Sequence, residues 1–253
     1  MTLGNVRINV WGTVLLLGIG AGWQALAESY GSPVFPGPIQ VAKAIVENRD
    51  AIAGSIGITL RRALMAFGAA AVTMVPFGIL CGRLRWFGRI VDPFVEFLIT
   101  VPPPAVIPLV MLFAGVGDEA KIAVIFYACA PLILVNTMEG ARNTPPMLEQ
   151  VARSLRFSRL KAMAQVSLPA TMPAIITGIR LAIATSLLVS VTSEMLLATD
   201  GIGTFLQRSQ ESFEFAAGLG AIATISIAGL CINLIIKFAE RRILFWYYRD
   251  GPT

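Results

Sequence analysis

Few residues in this chain are placed to do chemistry, and they are thinly spread. Glu194 is the one acid deep inside an apolar run. A carboxylate in hydrocarbon is costly unless it is paired, so such a group marks a functional position by default. Arg180, on the same stretch, lies 14 residues earlier, about 21 Å along a straight helix, too far to pair with it. Two readings fit Glu194. It sits near an outer gate, bonded to loop donors or shaping anion passage, or it makes a structural hydrogen bond to the turn at Asp200-Gly201. Ser186, Ser190, Thr192 and Ser193 precede it; they line a polar pathway or bond back to their own turn. Asn136 is either a pathway group or glue between helices. Pro102, Pro103, Pro104 and Pro108 each remove a backbone donor from one apolar stretch. Broken backbone cannot face lipid, so the stretch is a broken helix lining a route or a static kink at a junction. The candidate pathway set is therefore Pro104, Pro108, Asn136, Ser190, Ser193 and Glu194.

Other chemistries are excluded by composition. There is no His, so no His-ligated metal and no His base. Cys81, Cys129 and Cys231 lie far apart in apolar runs and read as buried thiols acting as small hydrophobes. No G-x-x-x-x-G-K-[ST] run occurs, so the chain binds no nucleotide through a P-loop of its own. No cluster of nucleophile, base and metal ligands supports an enzyme.

The elements that position these residues are membrane spans. Charged residues are 14% of the 253 and hydrophobic residues 56%; mean hydropathy is +0.74. One soluble core of this size cannot hide so much apolar surface. The chain reads as an all-α integral membrane protein, one transmembrane domain over 1–253. About six helices are expected, near 8–27, 60–82, 91–117, 120–138, 171–198 and 215–238. The first is read as a retained span rather than a signal peptide. With the N-terminus in the cytoplasm, 13 of the 20 basic residues fall on the cytoplasmic side, so both termini are expected inside. The +5 charge follows this distribution and not nucleic acid. Arg61 and Arg62 are expected to snorkel at the outer mouth of the second span. A short amphipathic helix, with Ile39, Val41, Ala42, Ile45 and Val46, either lies along the outer interface or is a plain loop.

Residues 140–173 are cytoplasmic by this rule and long for a connection within a bundle. Thr144, Pro145 and Pro146 can start a helix, with Glu149 near its positive end. Leu148, Val151, Ala152 and Leu155 make an apolar stripe. Arg153, Arg156, Arg159 and Lys161 decorate the rest. Such a helix rests on anionic lipid or docks in a groove of a cytoplasmic partner.

The run Gln150-Val151-Ala152-Arg153-Ser154-Leu155, with Pro169 fifteen residues after Ser154, resembles the EAA loop of ABC importer permeases. Pro102-Pro103-Pro104 with Ile107-Pro108-Leu109, Gly115-Val116-Gly117-Asp118-Glu119, Gly178-Ile179-Arg180 and Glu194-Met195-Leu196 with Gly201-Ile202-Gly203 extend the likeness. Over roughly 35–245 the chain is similar to the nitrate, taurine and aliphatic-sulfonate permease family.

That resemblance implies the type I importer permease fold in a bacterial inner membrane. It implies a pair of permease copies, a homodimer, bound to two cytoplasmic ATPases and fed by an extracytoplasmic solute-binding protein. No cofactor is expected on this chain; ATP and Mg belong to the ATPases. The coupling segment would span about 144–168, with Gln150, Val151, Ala152, Arg153, Ser154, Leu155, Arg156 and Phe157 at the contact. Two positions depart from the family. Gln150-Val151 stands for Glu-Ala, and Arg156 stands where a glycine turn is usual, so the helix is expected to run on through Arg156. Small anions such as nitrate or sulfonates are the implied solutes. The alternative is a secondary transporter or channel without an ATPase, which ordinarily needs more intramembrane ionisable groups than Glu194.

Overall fold

The structure is a computed structural model that describes residues 10–197 and 200–249. Arg7 and both chain ends lie outside the described residues. Those described form helices with no strand among them: α1 (Val10–Tyr30), α2 (Pro38–Glu47), α3 (Arg49–Arg83), α4 (Arg85–Thr100), α5 (Pro103–Ala114), α6 (Asp118–Arg142), α7 (Pro146–Ser154), α8 (Arg159–Ala162), a π-helical stretch at Met163–Ser167, α9 (Leu168–Leu197), α10 (Ile202–Glu211), α11 (Phe215–Ile243) and α12 (Phe245–Arg249). With no water in a bilayer core, helices keep every backbone bond inside the segment. Four are long and apolar enough to cross a membrane: α3, α6, α11, and the π stretch continued into α9. The pair α4–α5, bent by 97° at its break, gives a fifth. α1, with 21 residues, corresponds to the expected first span.

Two boundaries differ from the sequence expectation. α3 begins at Arg49, well before 60, because charged residues do not stop a helix whose charges are satisfied; Asp50 lies in its first turn. The fifth span begins in the π stretch. Pro169 offers no N–H to the carbonyl four residues earlier, and just ahead of it the Leu168 N–H bonds to Met163 O, in π register.

α6 is the central helix, packed along α3 on one side and α9 on the other. α3 and α6 run parallel, and α9 runs back between their ends. One end of the bundle therefore holds α10, the other α7. Small residues allow the close approach, as in membrane helices generally. A Cβ on Gly82 would meet Ala141 Cβ at 2.5 Å and Met138 O at 2.6 Å; one on Gly78 would meet Thr137 Cβ at 2.8 Å. Gly140 and Gly178 serve α9 in the same way. Between these contacts lies a core of Ala66, Ala70, Val124, Ile125, Cys129 and Ile133. Gly18 and Gly22, the spacing visible in sequence, meet nothing in the chain. Cys81 and Cys129 are buried as expected, whereas Cys231 is exposed on α11.

α2 is the expected amphipathic helix. It packs Val41 and Ala44 against the chain, next to Gly220 of α11.

Overpacking a tight helix contact costs about 1–3 kcal/mol. Gly82→Val is expected to lower the thermal unfolding temperature of the detergent-solubilised protein, and Gly54→Ala, facing open space, to leave it unchanged or higher.

Candidate functional site

Two regions gather the polar residues: a charge cluster at the α10 end and the α7 turn at the other. In the cluster, Arg62 of α3 is 1% exposed and Glu194 of α9 is fully buried. Arg62 Nη1 donates to Glu194 Oε1 at 3.0 Å and to the Asp200 carbonyl at 3.1 Å. Its Nε donates to Asp118 Oδ1 at 2.9 Å, and its Nη2 bonds Asp118 and Asp200. Lys121 Nζ, also buried, lies 3.3 Å from Asp200 Oδ1. Arg61 closes the group on Asp118 from the exposed side. Three cations thus meet three carboxylates, one of which has no access to water.

Glu194 is satisfied on both oxygens. Thr59 Oγ1 donates to Oε2 at 2.8 Å, and the Gly203 N–H donates to the same oxygen at 3.1 Å. Thr59 Oγ1 also accepts from the Ile202 N–H at 2.9 Å. This geometry explains the glycines at 201 and 203. A Cβ on Gly201, whose φ is +102°, would fall 2.3 Å from the Glu194 carboxyl carbon, and one on Gly203 would fall 2.2 Å from Val191 O. The cluster therefore binds the start of α10 to α3, α6 and α9. Arg62 does not snorkel as the sequence suggested. Asp118 and Lys121 are partners in the cluster.

The other pathway candidates do not converge on one surface. Ser190 and Ser193 are buried beside Glu194; Ser190 Oγ bonds to Thr59 O at 3.4 Å and Ser193 Oγ to Ser190 O at 2.9 Å. None of these three has surface to offer a pathway in this conformation. Asn136 bonds back to Leu132 O in its own turn, its Cβ against Gly178. Pro104 and Pro108 are exposed on α5, away from the cluster. The break before α5 is a real one. The Leu98 carbonyl, whose usual donor would be the absent N–H of Pro102, is 2.9 Å from Tyr127 Oη of α6. A tyrosine thus replaces the bond that the proline removed.

A groove of about 850 Å³ runs between α9 and α11, lined by Leu181, Leu188, Ile225 and Leu230 with polar Thr192, Ser226 and Asn233. Arg180 stands at its edge, 3.4 Å from Glu240 of α11.

At the other end, α7 stops at Ser154, and the helix does not run on through Arg156. Arg156 takes φ +53°. Its N–H bonds to Arg153 O at 2.9 Å, and the Phe157 N–H bonds to Ala152 O at 3.0 Å. This is the paired bonding of a Schellman cap, in which the left-handed residue is usually glycine. An Arg there costs on the order of 1 kcal/mol. The stripe also divides. Ala152 is 4% exposed and faces the chain, while Val151 at 49% and Leu155 at 60% face away, with Met147 and Leu148. Gln150, Arg153 and Ser154 are exposed, and Phe157 is half-buried under Lys161 Nζ, 4.5 Å from its ring centroid. The side chains of Glu149 and Arg159 lie outside the described residues. At the near end of α4, Arg142 Nη2 is 3.0 Å from both Asp92 carboxylate oxygens, tying α6 to α4.

Sequence reasoning missed Arg62, Thr59 and Lys121 as partners of the acids. The available signal was the count of acids facing the same end as Arg61-Arg62.

Residues 74–245 match the family described as binding-protein-dependent transport system inner membrane component. A probable ABC transporter permease protein of Brucella abortus, BAB2_1148, is 32% identical over 97% of this chain and 99% of its own. The nitrate import permease protein NrtB of Synechocystis is 30% identical over 88% of this chain and 84% of its own. The taurine transport system permease protein TauC of Escherichia coli is 29% identical over 96% and 87%. Among solved structures, the inward-facing MetNI methionine ABC transporter superposes with a TM-score of 0.62 at 18% identity, over 77% of this chain and 94% of that one.

Truncating one partner of a buried ion pair strands the other, a loss of about 3–5 kcal/mol, whereas a surface pair contributes about 0–1 kcal/mol. Arg62→Ala is thus expected to lower the unfolding temperature sharply and Arg61→Ala barely. In the double variant Arg62→Met with Glu194→Met, the loss should fall well below the sum of the two single losses. Additive losses would show that the two side chains are not coupled.

Proposed function

Because the chain belongs to the family of binding-protein-dependent transport system inner membrane components, the permease subunits of ABC importers, we propose that α7 is the contact through which cytoplasmic ATPases drive solute across its spans. Family membership favours this over a secondary transporter or channel. The likeness to MetNI shows the fold, that of a type I importer permease, and the family is one of inner membrane components.

One observation carries the coupling role. α7 leaves Met147, Leu148, Val151 and Leu155 uncovered on one face, while Ala152, at the edge of that stripe beside Leu148, is buried against the chain near Met163 and Val166. A short helix held along one edge of its apolar stripe, with the rest of the stripe open, fits a groove on a partner. On this reading the α7 end is cytoplasmic, as the basic residues of 142–161 and 237–249 indicate, and the α10 end is outside. Two permease copies, two ATPases and an outer solute-binding protein complete the assembly, with ATP and Mg held by the ATPases and no catalysis on this chain.

The solutes are small anions of the nitrate or sulfonate class, a reading supported by the names of the relatives. The pathway borders the broken span at Pro104 and Pro108. Asn136 lies between α6 and α9, and Ser190, Ser193 and Glu194 position the outer end of α9.

With Val151→Asp and Leu155→Asp together, the permease is expected to reach the membrane in normal amount but to lose its ATPase subunits on purification. Full retention of ATPases would remove the coupling role. In a Cys231→Ser background, cysteines placed at 104 and 108 are expected to react with a membrane-impermeant thiol reagent in the assembled transporter; protection at both sites would instead favour a sealed kink.

A further inference from the structure

We propose that Arg156 is a recognition residue of the ATPase contact, pairing with a carboxylate at the rim of the groove that receives α7. The inference rests on the coupling role of α7. Arg156 lies in the left-handed region at φ +53°, where glycine forms the same turn without strain. The bonds that define the turn, Arg156 N–H to Arg153 O and Phe157 N–H to Ala152 O, are backbone bonds. They gain nothing from a guanidinium. Backbone strain that persists at a non-glycine residue points to a use for its side chain.

That use is not within the chain. The Arg156 side chain is exposed, and no hydrogen bond or ion pair involves it among the described residues. A second strained position shows the contrast. Phe213, at φ +60°, ends α10 with the same cap, but its ring lies edge-on to Phe215 with centroids 6.1 Å apart. Phe213 has a ring partner of its own; among the described residues the Arg156 side chain has no hydrogen bond, ion pair or ring contact. Arg156 follows Leu155 directly and so borders the uncovered face of Met147, Val151 and Leu155. A cation beside an apolar patch is complementary to an apolar groove with an acidic rim. Arginine suits such a rim, because its planar fork binds a carboxylate through two hydrogen bonds.

The test uses the full transporter, permease with its ATPase subunits, and measures ATPase binding at rising salt. Arg156→Gly is expected to fold at least as well as the parent and to bind the ATPase about tenfold more weakly, the loss of one charge-assisted contact. Its binding should also depend less steeply on salt. Arg156→Lys should keep most of the affinity, and Arg156→Glu should bind more weakly than glycine. Parental affinity and salt dependence in Arg156→Gly would overturn the assignment. If the Val151→Asp, Leu155→Asp protein still loses the ATPase while Arg156→Gly does not, the docking face stands and only the arginine's role fails. If neither loses it, the coupling role of α7 fails as well.

Discussion

A guanidinium cannot be left bare in a membrane protein's interior, and the α10 end of this molecule is built around that constraint. Arg62 is enclosed by carboxylates from α6, α9 and the turn before α10. Removing any one acid would leave a buried charge short of its partner, so the four segments hold or release together. The same constraint fixes positions that carry no charge. Glu194 approaches so closely that only glycine fits at 201, and Val191 O with Glu194 Cβ does the same at 203; Thr59 bonds both the carboxylate and the Ile202 N–H. Membrane helices gain little from burying apolar side chains, since lipid is equally apolar. Polar knots and close glycine contacts set the geometry instead.

The proline break obeys the same accounting at the level of the backbone. Pro102 removes the donor for Leu98, and Tyr127 supplies another from the neighbouring helix. The chain can then turn by 97° within a span without exposing that carbonyl. Because the replacement donor sits on α6, the central helix, the break is fixed in position relative to the core.

Much of this was legible in the sequence. Lengths of charge-free runs gave the spans, and four prolines in one run gave the broken helix, because both follow from local chemistry. The family was legible in the order and spacing of short motifs. Pairings across helices were not. Arg62 and Glu194 are 132 residues apart, and nothing local distinguishes a snorkelling arginine from one enclosed by acids. The helix–helix glycines were hidden for a similar reason: Gly18 and Gly22 show the same spacing as Gly78 and Gly82, and only the second pair meets another helix. The end of α7 was misread because propensity argues against Arg in a left-handed turn, and tertiary context overrode it. The division of the stripe between Ala152 and Val151 depends on which face the π stretch covers, which no periodicity reveals.

The two ends are joined by one rod. α9 runs unbroken for 30 residues, about 45 Å, from the π stretch beside α7 to Glu194 in the cluster. Its ends are held differently. At the α10 end it is fixed by the Arg62–Glu194 ion pair, the Thr59 hydroxyl and the Gly203 N–H. At the α7 end it is preceded by five residues in π register and carries prolines at 169 and 173, so its first turns lack two of the usual backbone bonds. The end of α9 that adjoins α7 is thus the one with fewer backbone bonds, and the end in the cluster is the one with more side-chain ties.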